Sequence, residues 1–155
     1  LFPLMIEDKS DADKKSMPST QYAAQNAALQ AALKGKRVLV VDDEPSVVGF
    51  LNIWLKRQGL VTKCFEDSQQ ALAYFEAHPD EFDLLITDQT MPGLTGKELI
   101  DKIEKLRPQL PTVLCSGYVG RNNIEQAAKL GVHNFVEKPF NQAQLFEVVA
   151  RLLKG

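Results

Sequence analysis

The chain has 155 residues, room for one compact domain and a tail. Apolar residues make up 45% and charged residues 25%, and the formal net charge is −2, a balance that speaks against direct nucleic-acid binding or attachment to anionic lipid. No apolar run approaches the roughly 18 residues of a membrane span. Residues 1–6 (LFPLMI) are too short, and too soon followed by acidic residues, to act as a signal peptide. The two cysteines, Cys64 and Cys115, lack the close spacing of a zinc site and make no disulfide framework, so a reduced, cytoplasmic setting with small buried thiols is expected. The first residue is Leu rather than Met, which points to a piece of a longer protein.

Composition changes near residue 35. Residues 7–20 (EDKSDADKKSMPST) are polar, charged and Pro-containing, and read as linker. Tyr22 to Leu33 is rich in Ala and Gln, with Ser19 or Thr20 as a candidate N-cap and Gly35 as a stop. Its apolar face is thin, so a short helix within 20–33 needs a neighbour to be stable. Residues 1–34 are therefore assigned to a linker or tail from a preceding domain, and 35–155 to the folded domain.

From residue 36 the pattern alternates. Arg37–Val41 is a short β-branched run of the kind a buried strand makes. Pro45–Gln58 is a helix with Val47, Val48, Phe50, Leu51, Trp54 and Leu55 on one broad face, and Gly59 follows it. Val61–Phe65 is a second strand, and a second helix runs from Asp67 or Ser68 to Ala77. Asp83–Thr87 is a third strand, followed by a helix over Thr95–Leu106 with apolar residues at Leu99, Ile100, Ile103 and Leu106. A fourth strand at Thr112–Cys115 precedes a short helix at Asn123–Leu130. A fifth strand at Asn134–Val136 precedes a last amphipathic helix at Gln142–Leu153. Strands alternating with helices predict an α/β fold, a flavodoxin-like (βα)5 sandwich whose five-stranded parallel sheet has the order 2-1-3-4-5 and helices on both faces. No internal repeat is present.

In an open parallel sheet, sites form at the carboxyl ends of the strands. Asp42, Asp43 and Glu44 follow the first strand, Asp88 the third, Ser116 and Gly117 the fourth, and Lys138 the fifth. Crowded aspartates repel one another and favour a bound cation, and hard oxygen ligands on an open rim suit Mg²⁺. With a cation and Lys138 offsetting the charge, a phosphoryl group can approach a carboxylate nucleophile, with Ser116 and the Gly117 N–H as donors. Each residue alone has a plainer reading. Asp43-Glu44-Pro45 is also a helix start, Asp88 a turn residue, Lys138 a solvated lysine and Ser116 a strand-end hydroxyl. Their common placement at one end of successive strands favours the site.

Four segments carry a resemblance: VLVVDDEP (Val38–Pro45), DLLITDQTMPGLTG (Asp83–Gly96), VLCSGY (Val113–Tyr118) and EKPF (Glu137–Phe140). Over roughly Gly35 to Gly155 the chain closely resembles the receiver domains of two-component response regulators. The resemblance implies that Asp88 is the phosphoacceptor, Asp43 a direct Mg²⁺ ligand, Asp42 its helper through water, and the Thr90 backbone carbonyl a further ligand. It implies that Lys138 pairs with the phosphoryl oxygens and that Lys138-Pro139 is cis. Ser116 and Phe135 fill the switch positions, moving together on phosphorylation to re-form the surface of the fourth helix, fifth strand and fifth helix. Thr90 and Tyr118 occupy variable places beside the phosphoryl site, where a bulky Tyr118 would hinder the hydrolytic water. The implied partner is a histidine kinase core or a histidine phosphotransfer protein, with no nucleic acid or membrane contact.

No output domain is expected after the last helix. Upstream, LFPLMIE (Leu1–Glu7) resembles the closing strand of a histidine-kinase ATP-binding domain, which implies the C-terminal receiver of a hybrid histidine kinase; a free-standing single-domain regulator is the alternative. A receiver-like binding module that never takes phosphate would lack the acceptor, the acidic pair or the lysine, and all are present. Phosphohydrolases of the haloacid-dehalogenase type place a second Asp two residues after the nucleophile, where this chain has Thr90. A flavin phosphate would be repelled by the acidic loop after the first strand.

Overall fold

The computed structural model of the protein describes residues 27–117 and 134–154. Five parallel strands, β1 (Arg37–Val41), β2 (Val61–Phe65), β3 (Leu84–Asp88), β4 (Thr112–Ser116) and β5 (Phe135–Glu137), form one sheet in the order β2-β1-β3-β4-β5. Four helices, α1 (Pro45–Arg57), α2 (Ser68–Ala77), α3 (Gly96–Leu106) and α4 (Gln142–Lys154), follow β1, β2, β3 and β5. The predicted fold, strand order and pairing sense are all observed. The helix expected at 123–130 and Tyr118 lie outside the described residues.

Side chains alternate across a strand, so each strand of a doubly covered sheet feeds two cores. Val38 and Val40 of β1 join Leu51, Trp54 and Leu55 of α1 and Leu145, Val149 and Leu153 of α4. Leu39 and Val41 of the same strand join Ala71 and Phe75 of α2 and Leu99 and Ile103 of α3. Burying each Val, Leu, Ile or Phe among them contributes about 1.5–3 kcal/mol, which holds the strands in register.

The turns that lead toward the rim are capped locally. Asp67 accepts N–H bonds from Gln69 and Gln70 at the start of α2, and Thr95 with Glu98 forms a capping box at the start of α3. Upstream, residues 27–33 are helical. Leu33 is fully buried in the α1–α4 core and Leu29 packs against it, while the Gly35 N–H donates to the Gly59 carbonyl at 2.9 Å. The neighbour this marginal helix requires is thus the domain itself.

Candidate functional site

The carboxyl ends of β1, β3 and β5 deliver three charged groups to one point. Asp42, directly after β1, is 2% exposed; its N–H donates to the Phe65 carbonyl at 3.1 Å, and its Oδ1 accepts the Glu44 N–H at 2.9 Å. Asp88 ends β3, 6% exposed and in register with Cys115 of β4. Lys138 follows β5, its N–H donating to the Ser116 carbonyl at 2.8 Å, and the Lys138-Pro139 peptide is cis as the resemblance implies. The Lys138 ammonium has three donors, and three carboxylate oxygens meet it: Asp42 Oδ2 at 2.8 Å, Asp88 Oδ1 at 3.0 Å and Glu44 Oε1 at 3.3 Å.

One cation faces more negative charge than it can balance. Burial pushes the Asp88 carboxyl above the usual carboxylate range; the Lys138 hydrogen bond opposes that rise, and the Asp42 and Asp43 charges add to it. Burial alone would lower the Lys138 pKa, but its bonds to Asp42 and Asp88 outweigh burial and hold the ammonium firmly protonated. Asp42, Asp43 and Asp88 each offer a carboxylate oxygen within 4.8 Å of the others. This set of hard oxygen donors, short of positive charge and open to solvent on one side, fits a small divalent cation such as Mg²⁺. Asp43, Glu44, Asp88, Thr90, Gly117 and Lys138 line a cavity of about 460 Å³ above it.

The remaining sequence-selected residues fall around this cavity. Thr90 is exposed on its wall, two residues beyond Asp88. Ser116 closes β4 at 6% exposure. A Cβ added at Gly117 would meet nothing within 4 Å, so glycine there leaves the cavity wall low rather than relieving a clash inside the chain. Phe135, opposite Leu114 in the β4–β5 register, is half-buried against the α2–α3 core. Burial pushes the Cys115 thiol up, as expected of an inert core thiol; Cys64 sits on edge strand β2 and is only partly covered.

Three contributors were not singled out as site residues from the sequence. Glu44 reaches Lys138 across 94 positions, and the only sequence signal is its place beside the aspartate pair. Gln89 anchors the turn after Asp88: its N–H donates to the Cys115 carbonyl at 2.9 Å, while its side-chain carbonyl accepts the Lys97 N–H at 2.9 Å. Gly96 is sterically required, because a Cβ there would lie 2.3 Å from the Asp88 carbonyl oxygen and 2.6 Å from Leu114 Cδ1.

A doubly wound parallel sheet with an acidic pocket and a lysine at its carboxyl rim defines a class of signalling domain. The response regulator receiver domain model matches residues 38–150, and the chain belongs to that family. It is 33% identical over 119 residues to the response regulator protein PilR of Pseudomonas aeruginosa, covering 77% of this chain and 26% of that protein. It is 31% identical over 121 residues to the chemotaxis protein CheY of the same organism, covering 76% of this chain and 96% of CheY. Thus the chain spans about a quarter of the length of PilR and nearly all of CheY. Among solved structures, a CheY-like receiver domain protein from Methanospirillum hungatei superposes with a TM-score of 0.67 at 28% identity, covering 77% of this chain and 94% of that one. A receiver domain protein from Clostridium thermocellum shares the fold with a TM-score of 0.69 at 24% identity, over 76% of this chain and 94% of that one. Among the described residues no helix is long and apolar enough to cross a membrane.

Proposed function

We propose that this receiver domain takes a phosphoryl group from a phosphohistidine onto Asp88. A carboxylate oxygen of Asp88 attacks the phosphorus, the N–P bond breaks, and the departing imidazole takes its proton from solvent. The observation that carries this reading is the meeting of Asp42, Asp43, Asp88 and Lys138 at one rim, with Lys138 Nζ 3.0 Å from Asp88 Oδ1. Asp42, Asp43, Asp88 and the Thr90 carbonyl would hold Mg²⁺, which when bound supplies positive charge to offset the carboxylates and the incoming phosphoryl oxygens.

Lys138 then exchanges its contact with Asp88 for a phosphoryl oxygen while keeping Asp42 and Glu44. Ser116 donates to a second phosphoryl oxygen, and Phe135, half-buried at the next strand, repacks with it to change the neighbouring surface. The absence of a carboxylate at Thr90 leaves no proton shuttle for rapid hydrolysis, as suits a signal rather than a turnover enzyme.

The parent protein in this reading is a hybrid sensor histidine kinase in the cytoplasm, supported by the kinase-like LFPLMIE segment ahead of the domain. Reading the coding sequence upstream of Leu1 tests it: an ATP-binding kinase domain is expected, and a start codon there with none would favour the free-standing regulator that CheY's length supports. The phosphoacceptor role is tested by intact-mass spectrometry after incubation with a phosphohistidine donor or acetyl phosphate. One phosphoryl adduct is expected, dependent on Mg²⁺ and lost in Asp88→Asn. No adduct from either donor would leave a receiver-like binding module.

A further inference from the structure

The turn between β3 and α3 carries Thr90 on the cavity wall, and its tip is tied to another helix by one buried hydroxyl. Ser68, the first residue of α2, is 1% exposed. Its Oγ donates to the Pro92 carbonyl at 3.2 Å and accepts the Leu94 N–H at 3.0 Å, across 24 and 26 positions of sequence. A serine hydroxyl has one donor and two acceptor sites, so this single group satisfies both backbone partners at once. The Asp67 cap, which accepts from Gln69 and Gln70, fixes the start of α2 and with it the position of that hydroxyl.

The rest of the turn is held at its two ends and by the apolar side chains of Met91 and Leu94 on the α2–α3 core. Gln89 bonds Cys115 and Gly96 through its backbone, and the Thr95–Glu98 capping box closes the far end. Met91 is buried in the α2–α3 core. Between these anchors Gly93 takes a φ of +80°, the left-handed region that glycine adopts without the strain of a Cβ. Among the described polar contacts of residues 91–94, the two Ser68 bonds reach outside the turn to α2.

We propose that Ser68 is a positioning residue for the cation site: by clamping Pro92 and Leu94 to α2, it holds the Thr90 carbonyl where a divalent ion can use it. This rests on the assignment of the metal to Asp42, Asp43, Asp88 and Thr90. Ser68 touches neither the ion nor the reacting atoms; it acts through the turn. Any change at 68 that removes the hydroxyl frees the turn tip, while Asp88 and Lys138 keep their places on the sheet. The effect falls on cation affinity before it falls on folding.

The test compares the full chain with Ser68→Ala and Ser68→Thr in two readouts. Mg²⁺ affinity is followed by backbone amide shifts, and exchange of the Leu94 amide is measured in Mg²⁺-free buffer. Ser68→Ala is expected to weaken Mg²⁺ binding by about tenfold, the low end for loss of a supporting partner. It should also speed Leu94 exchange, and Ser68→Thr, which keeps the hydroxyl, should return both toward wild type. An alanine variant with a lower melting temperature but wild-type Mg²⁺ affinity would overturn the proposal, because Ser68 would then be structural only. Wild-type Leu94 exchange in Ser68→Ala would also overturn it, because the hydroxyl would then not be what holds the turn. Wild-type protein that binds no Mg²⁺ would instead overturn the metal assignment, and the proposal with it.

Discussion

Strand β3 shows two regions of the molecule within five residues. Leu84, Leu85 and Ile86 are buried in hydrocarbon on both faces of the sheet, while Thr87 and Asp88, equally buried, place polar atoms at the rim. The first region contributes stability because apolar area leaves water. At the second, Asp88 is pushed toward its neutral form by burial and by Asp42 and Asp43, and one lysine is shared among three carboxylates. The difference teaches that the sheet interior supplies the stability that lets its rim hold an unfavourable cluster of charge.

Substitutions separate the two regions. Leu39→Ala, in the fully buried α2–α3 core, is expected to cost about 2–5 kcal/mol in denaturant unfolding. The folded fraction should still accept phosphate, and a variant that stays as stable as wild type would contradict the packing described. Gly96→Ala lies where the regions meet. Its Cβ would press on the Asp88 carbonyl, so a loss of about 1–3 kcal/mol should come with slower phosphorylation. An alanine variant with unchanged rate would show that the strand end relaxes without moving the acceptor. The smallest effect on stability is expected for Asp88→Asn without Mg²⁺, a gain of about 1 kcal/mol or less, because a charge is removed from a crowded, buried site. A clear loss there would mean that the Lys138 contact outweighs burial and repulsion. With Mg²⁺ the order should reverse, wild type gaining more melting temperature than the variant.

Much of this was legible in the sequence, for a physical reason. Short apolar runs between glycine- and proline-marked turns announce parallel strands, and the acidic pair, Asp88 and Lys138 sit directly after such runs. Strand ends were legible to within a residue. The third strand reaches Asp88 rather than stopping at Thr87, because pairing with β4 continues through Asp88 opposite Cys115 and the Gln89 N–H extends the pattern. It begins at Leu84 rather than Asp83, although the Asp83 N–H donates to the Arg37 carbonyl and its carboxylate accepts the Arg37 N–H, both at 2.8 Å. Contacts made across long separations were not legible. Lys138 choosing Glu44 as a third partner, and Ser68 clamping Pro92 and Leu94, follow from how distant turns come together. The burial of Leu33 was hidden for a related reason: two leucines in an Ala- and Gln-rich segment carry little periodic signal until α1 and α4 are present to cover them.

The most direct measurement traps the acyl phosphate chemically. After phosphorylation in Mg²⁺, borohydride reduction converts a phosphorylated aspartate to homoserine, and peptide mapping locates it. Homoserine at position 88, absent without Mg²⁺ and absent when Asp88 is replaced by Asn, is the expected result. Phosphate stable to this treatment and mapped to Ser116, or homoserine at Asp42 or Asp43 in the unaltered chain, would contradict Asp88 as the acceptor.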